Sequence, residues 1–438
     1  MTQVSAQSEF QFQNAILSVP ERGIAIDISQ TITELTLYES INIPYITGNL
    51  ICVDTEFAFE ELKMNGTERL ELQIHSAEYS SDGSGIPFIK NFIITRTVGK
   101  TKLDEQGFAY NFYIAEELFF VDVLKKLSNA YIGTPSEIIK NVFASEFNKE
   151  VNLIGKPSAQ SAFTYISPFI SPLAIVETIR KRASDRNGYP FYVYATLKED
   201  TIRMKSLSEM IETDPINKIP FTFSTAQNYN PDRKKQLTNI EFMQDLGTND
   251  TVEMLMNGAV QNQYNVLNIS TNQRNDNNRF NITEILDVPK GDSLFSNNLE
   301  IQGKKLNEYN PNVVYRIVNH TTMDELGYHD EQDLEMHINK QKSNALDKAL
   351  DKKKITIILP GILNFAKGIV FVGEQITINL PRPSHPGDLD KVNSGSYVVQ
   401  EIKHKFSENK YSQAMTCSKL TNSTDKTLAV SPTGYTSL

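Results

Sequence analysis

The side chains best suited to chemistry are scarce: the 438-residue chain holds six histidines and two cysteines. His329 and His337 stand among Asp330, Glu331, Asp333 and Glu335, an imidazole and carboxylate set that could hold a divalent cation. Helical zinc pairs use an i, i+4 spacing, which puts both imidazoles on one face. These two are i, i+8, and a helix beginning before residue 333 would put them on different turns. The spacing therefore predicts solvated polar residues, with no metal site. His404 falls on the inward parity of an alternating strand, which predicts a hydrogen-bonded core histidine and not a catalytic base. Cys52 lies in the apolar run Leu50-Ile51-Cys52-Val53 and reads as a small core residue. Cys52 and Cys417 cannot build a disulfide framework and have no metal-ligand spacing, which fits synthesis in a reducing cytosol.

The 53 acidic residues offer many carboxylates, but none stands in a recognisable motif. There is no phosphate-binding glycine loop, no nucleophile elbow and no H-E-x-x-H. The sequence predicts no enzyme, with no catalytic, cofactor-binding or metal residues. Lys and Arg total 43 against those 53 acids, a formal charge of -10. A nucleic-acid binder displaces counterions with a basic stripe, and nothing in this balance supplies one. The first residues lack a basic start and an apolar stretch, so no signal peptide is expected. No apolar run reaches the roughly 18 residues of a membrane span, so no membrane anchor is expected.

The elements that would position such residues are mostly strands. Residues 24–38 alternate in period two, but Ile24, Ile26, Ile28 and Ile32 take one parity while Leu35 and Leu37 take the other. That switch predicts a break or bulge near Thr33. Residues 46–54 read as a strand, 55–63 as a short helix, and Asn65-Gly66 as a turn. In RLELQIHSA, Leu70, Leu72 and Ile74 face one side. Residues 92–99 and 107–115 read as a hairpin.

The character changes near 118. Phe119, Val123, Leu127 and Ala130 predict one helical face. Thr134-Pro135-Ser136-Glu137 reads as a capping box. Ser171-Pro172 opens another helix, expected to stop at Asn187-Gly188, and a hairpin turns at Lys198-Glu199-Asp200. Strands return with QLTNIEFMQ and with 258–270, around a short helix at 250–257. The polar stretch 271–279 reads as an exposed loop, VVYRIV as a strand, and 331–350 as a helix with Met336, Ile338, Ala345 and Ala349 apolar. KKITIILPG and QITINL are strands, PRPSHPGD a loop, and 395–420 a long hairpin turning at Ser407-Glu408-Asn409. In that hairpin Val398, Ile402 and Phe406 are expected to face in, and Glu401, Lys403 and Lys405 out.

Two stretches carry a family likeness. The first, LTLYESINIPYITGNLICVDTEFAFEELKMNGTERLEL, places Glu39-Ser40, Gly48, Asp54 and Gly66-Thr67-Glu68 in order. The second is GIVFVGEQITINLP with GSYVVQEIKHKFSENKYSQAMTCSKL, where Tyr397, Val399, Ile402 and His404 match a closing-hairpin pattern Y-x-V-x-x-I-x-H. Together they resemble the central baseplate hub proteins of contractile-tailed, T-even-like bacteriophages, and the N-terminal hub half of type VI secretion spikes. The resemblance implies a fold that is α+β but mainly β. Two tube-like antiparallel β-barrel domains would span 1–117 and 223–270 with 353–425. A helical α+β insertion would lie at 118–222, a further insertion at 271–352, and a flexible tail at 426–438. The two barrels share no sequence repeat, so any kinship between them is expected to be structural only.

The implied role is mechanical. Such hubs are homotrimers whose paired barrels form a pseudo-sixfold ring between tail tube and central spike. The expected partners are the spike, tube or tube-initiator proteins, the tape-measure protein and surrounding wedge proteins. DNA passes through the channel without specific binding, and an acidic wall would favour that passage. The implied location is the virion tail baseplate, assembled in the host cytoplasm. Set beside this are the hub part of a type VI-like or bacteriocin-like injection spike, a cell-wall hydrolase with paired acids, and a nucleic-acid binder. The chain ends shortly after its last strand with no spike segment, which favours a hub separate from its spike.

Overall fold

The computed structural model is mainly β and describes residues 10–64, 66, 68–76, 88–104, 107–158, 162–223, 238–246, 251–256, 261–269, 272–280, 300–309, 312–318, 322–324, 327–329, 334–350, 353–361, 370–382, 385–390 and 393–419. Among them, no helix is long and apolar enough to cross a membrane.

An N-terminal lobe contains β1 (Phe10–Val19), β2 (Ile24–Asp27), β3 (Ile32–Ser40), β4 (Ile43–Asp54), β5 (Arg69–Ser76), β6 (Phe88–Asp104) and β7 (Gly107–Ala115), with α1 (Ala58–Leu62) after β4. Alternation decides what each strand buries. Leu70, Leu72 and Ile74 of β5 are fully buried, each contributing about 1.5–3 kcal/mol of transfer free energy. The parity switch near Thr33 is a turn at 28–31 followed by a bulge between Ile32 and Glu34. Past it, Leu35 and Leu37 point into the core. Gly48 is required by closeness: a Cβ there would stand 2.7 Å from Leu37 Cδ2 and from the Thr36 carbonyl oxygen.

The first insertion carries α2 (Glu117–Leu124), β8 (Ala130–Gly133), α3 (Pro135–Phe147), β9 (Val151–Ile154), β10 (Phe163–Ile166), α4 (Pro172–Arg180), β11 (Phe191–Tyr194), β12 (Ile202–Ser206) and α5 (Leu207–Glu212). Thr134 and Glu137 form the expected capping box on α3. The helix expected through Ala130 stops at Leu124 instead. Leu118 is buried, but Val123 and Leu124 are 57% and 80% exposed. Leu127 donates its N–H to the Ile170 carbonyl at 2.8 Å, and Ala130 begins β8, so tertiary pairing overrides the helical period. α4 also ends early, at Arg180. The Asn187-Gly188 turn beyond it is held by Asp185, whose Oδ1 accepts from the Asn187 and Tyr189 N–H groups at 2.9 Å.

The C-terminal lobe contains β13 (Phe221–Phe223), β14 (Asn239–Ile240) and β15 (Phe242–Asp245) before the second insertion. That insertion holds α6 (Thr251–Met256), β16 (Asn262–Asn268), β17 (Gln273–Phe280), β18 (Glu300–Ile301), β19 (Lys304–Lys305), β20 (Asn312–Val318), β21 (Thr322–Asp324), β22 (Gly327–His329) and α7 (Leu334–Leu350). The lobe resumes with β23 (Lys354–Pro360), β24 (Gln375–Asn379), β25 (Pro381–Arg382), β26 (His385–Leu389), β27 (Gly395–Ser407) and β28 (Lys410–Ser418).

Two sequence-predicted loops are strands. The polar stretch 271–279 forms most of β17, because antiparallel pairing with β16 satisfies its backbone whatever its side chains. Within PRPSHPGD, β25 and β26 form a small antiparallel pair, with Pro381 at the first position of its strand, where no ladder donor is needed. Among the described residues β16 pairs with β17 and β20 and not with either lobe, so the excursion from the C-terminal lobe follows β15, ahead of residue 271. β22 joins β10 and β8 in one sheet, linking the two insertions. The β27–β28 turn is as expected: Glu408 and Asn409 both have positive φ, the geometry that suits a two-residue hairpin.

The two lobes are topological copies. In chain order β1, β2, β3, β4, β5, β6 and β7 correspond to β13, β14, β15, β23, β24, β27 and β28. Pairings β1–β2, β1–β5, β5–β6, β6–β7, β7–β4 and β4–β3 recur as β13–β14, β13–β24, β24–β27, β27–β28, β28–β23 and β23–β15. Only the two β13 pairings differ in sense, being parallel. In each lobe one long strand changes partner at a bulge. β6 pairs with β5 up to Ile93 and shifts register between Ile94 and Arg96; β27 pairs with β24 up to Val398 and shifts between Val399 and Glu401.

Candidate functional site

The lobes meet along a seam. β27 pairs with β3 in antiparallel register from Glu401↔Ser40 to Ser407↔Glu34. The two stretches that carry the family likeness thus lie side by side. The seam completes a continuous run of eight antiparallel strands, β15-β23-β28-β27-β3-β4-β7-β6.

Beneath the seam lies a buried polar group. Glu39 accepts the Leu197 N–H at 2.5 Å and the Val372 N–H at 3.3 Å, and its Oε1 stands 3.6 Å from His404 Nε2. His404 Nδ1 bonds the Tyr411 hydroxyl at 2.8 Å, with the Gln413 amide at 3.5 Å. His404 is the hydrogen-bonded core histidine that its parity predicts. Burial holds the Tyr411 phenol well above its ordinary range. Gly361 packs flat on the same ring, and a Cβ there would overlap it.

The first insertion is fastened to both lobes. Lys90 of β6 donates to the Glu199 carbonyl at 2.9 Å, and Lys205 donates to the Gly373 carbonyl at 3.0 Å. Asn217 and Thr377 exchange two hydrogen bonds at 2.8 Å. Burial lowers the Lys205 pKa and raises that of Glu374. Other residues of the family-like stretch hold corners: Asp54 accepts from the N–H groups of Glu56, Ala58 and Phe59, and Glu68 accepts from that of Gly66.

The face of the eight strands turned away from the core mixes hydroxyl and amide groups with apolar side chains such as Ile51, Phe242, Ile358 and Ala414. It presents Thr36, Tyr38, Thr47, Asn49, Asn111 and Tyr113 from one lobe, and Thr356, Ser412 and Thr416 from the other. Its charges are Glu34 and Glu401 against Arg96, Lys354, Lys403 and Lys405, with Lys405 paired to Glu34 at 2.9 Å. The chain's net negative charge is not concentrated on this face. Strand parity had placed Glu401, Lys403 and Lys405 outward; their neighbours on β3, β4 and β7 become visible only once the strand order is known.

The backbone puts His329 on β22 and His337 in the first turn of α7, while their side chains lie outside the described residues. Among the described residues, no group of three or more His, Cys, Asp or Glu side chains could hold a metal ion. Cys52 and Cys417 are buried, and burial pushes the Cys52 thiol up to about 12.

No protein-family model matches the sequence, and no curated protein is similar to it. Solved structures share the fold. A tail protein from Neisseria meningitidis MC58 matches with a TM-score of 0.54 at 11% identity, over 94% of this chain and 97% of that one. The 43 kDa tail protein of prophage MuSo2 from Shewanella oneidensis matches with a TM-score of 0.50 at 6% identity, over 93% and 98%. The fold is therefore that of phage-type tail proteins, in agreement with the hub resemblance carried by Glu39, Gly48, Asp54 and His404.

Proposed function

We propose that the chain is a structural, non-enzymatic subunit of a contractile-tail baseplate hub. One observation carries this reading: two topologically equivalent lobes are fused into a single eight-stranded face. A chain that presents two equivalent lobes contributes two positions to a ring. Three copies then give six, which suits a joint between a hexameric tube and a trimeric spike. The division into two tube-like domains and two insertions belongs to this reading. The eight-stranded face would line the channel for tape measure and DNA. Its hydroxyl and amide groups give a passing polyanion no specific contacts; with Lys405 paired to Glu34, Arg96, Lys354 and Lys403 outnumber Glu401, so any hold on a polyanion is non-specific and weakens with salt.

The test is direct. Purified protein should be a trimer by light scattering, and electron microscopy of the assembled tail should place a labelled copy on the axis between tube and spike. A strictly monomeric protein, or a label on the periphery of the baseplate, would refute the reading.

A further inference from the structure

The second insertion carries a sheet that is finished on one face only. Its strands run in the order β17-β16-β20, with β17 antiparallel and β20 parallel to β16. Alternation divides the side chains of β16 between the two faces. Tyr264 and Val266 are buried and pack with Val314 against Ile338 of α7. The opposite face takes Gln263, Asn265 and Leu267, which stand beside Val313, Tyr315 and Ile317 of β20. Gln263 and Asn265 are joined at 3.3 Å and form its floor. Tyr315 is 72% exposed and Ile317 64%, and Leu267, Val313 and Ile269 are exposed with them. Single exposed apolar residues are ordinary, but a row of neighbours on one face marks an interaction site. We propose that this face docks an amphipathic helix of another tail protein, with its apolar side on β16 and β20 and its carboxylates toward β17.

Charge names the occupant. Arg274 stands opposite Leu267 and Arg279 opposite Gln263, so both belong to the apolar face, and both are exposed. Among the described residues of the three strands, no carboxylate shares that face, although the chain as a whole carries a charge of -10. An apolar row edged by two arginines is the complement of an apolar row edged by carboxylates. Dimensions favour a helix. The two outer strands lie about 10 Å apart, close to the width of one helix. From Gln263 to Leu267 the strand rises about 13 Å, so the two arginines reach carboxylates about two helical turns apart. The sheet already holds α7 on its other face, and a helix on this one would complete the layer that an apolar sheet face requires. Two cations are few for nucleic acid, whose binding draws on many phosphate contacts.

This inference rests on the hub reading, since its test uses the assembled tail, but it can fail separately. The photo-reactive residue p-benzoylphenylalanine replaces Tyr315 in one variant and Ile317 in another, and assembled tails are irradiated. The expected product joins this chain to a different tail protein. Mass spectrometry should place the link in a segment with apolar residues at i, i+3, i+4 and i+7 and Asp or Glu about two turns apart. A link to a second copy, to this chain itself, to DNA, to lipid or to a segment of alternating strand pattern would overturn the proposal. So would tails that contain the protein and give no adduct at either position, a result that leaves the hub reading standing. Tails that lack the protein would sink both. The linked segment, made as a labelled peptide, supplies a second arm by fluorescence anisotropy. Arg274→Glu with Arg279→Glu should weaken its binding at least tenfold, and a peptide with lysines in place of its carboxylates should restore it. Tyr315→Lys, at an exposed position that leaves the circular dichroism unchanged, should weaken binding by a similar factor. Equal affinity of the peptide for wild type and the arginine variant would count against the assignment.

Discussion

The Glu39 carboxylate and the His404 imidazole face each other at 3.6 Å, both fully enclosed, across the seam that joins the two lobes. Glu39 comes from the N-terminal lobe and His404 from the C-terminal one. The same carboxylate accepts a backbone N–H from the first insertion at Leu197 and another from the C-terminal lobe at Val372. One side chain therefore fixes three units of the chain relative to each other. Its position is legible in the local sequence only as an odd polar residue on the buried parity of β3.

Glu39→Ala removes the acceptor from two buried N–H groups and leaves His404 without its neighbour. Each buried donor left without an acceptor costs about 1–3 kcal/mol. The urea midpoint, followed by circular dichroism because the chain has no tryptophan, is expected to fall accordingly. Glu39→Gln keeps the shape and one acceptor and should cost less. Equal stability of Glu39→Ala and wild type would show that the seam does not depend on this carboxylate.

Gly361 and Gly23 separate two reasons for glycine. Gly361 lies against the Tyr411 ring, so Gly361→Ala overpacks the core and should cost about 1–3 kcal/mol. Gly23 has φ +65 with nothing within 4 Å of a Cβ, so Gly23→Ala meets only backbone strain, about 1 kcal/mol. Tyr411→Ala should relieve the clash in the Gly361→Ala background while leaving the Gly23→Ala cost unchanged. Paired denaturation curves measure both.

The sequence made some of this plain and hid the rest for physical reasons. Leu70, Leu72 and Ile74, the capping box at Thr134, and the Glu408-Asn409 turn follow from local periods and local hydrogen bonds. The helix that stops at Leu124 could not be read, because a bridge from Leu127 to Ile170 intervenes from outside the segment. Nor could β17, whose polar side chains give no period and whose strand state comes from its partner β16. The duplication of the lobes was invisible for a related reason. It is a relation of pairing order, and pairing order constrains which face a residue takes, not which residue it is.

The thiols should be silent in the native state. Burial raises Cys52 from an ordinary 9.0 to about 12 and raises Cys417 as well, so neither forms thiolate near pH 8. A thiol reagent should release no signal from folded protein and two equivalents after denaturation. The linkage has a definite sign. Above pH 9 the unfolded chain loses these protons while the folded chain keeps them, so stability is intact below pH 9 and falls as pH rises toward 12. The loss is up to about 1.4 kcal/mol per pH unit for each thiol. A flat stability profile from pH 9 to 11 would contradict the burial.

Asp54 closes the corner between β4 and α1 with three accepted N–H bonds, from Glu56, Ala58 and Phe59. Asp54→Ala leaves those donors unpaired and is expected to cost about 2 kcal/mol. Asp54→Asn keeps an acceptor and should recover part of that. Amide hydrogen exchange at residues 56–59 reports the local opening; unchanged protection in Asp54→Ala would contradict the assignment.

The seam also orders events in time. β3 is made early and β27 near the end of the chain, and β15 must wait across the whole second insertion for β23. Contacts so distant in sequence form slowly and late. A nascent chain can fold its N-terminal lobe at once, since that lobe's pairings are internal to it, but the open edge of β3 stays unfilled until β27 has been made. During that interval the growing chain exposes strand edges on both sides of an already folded lobe. Products truncated before β27 should therefore be prone to aggregate, since the eight-stranded face is not yet formed. The junction makes completion of the eight-stranded face wait for β27 and β28.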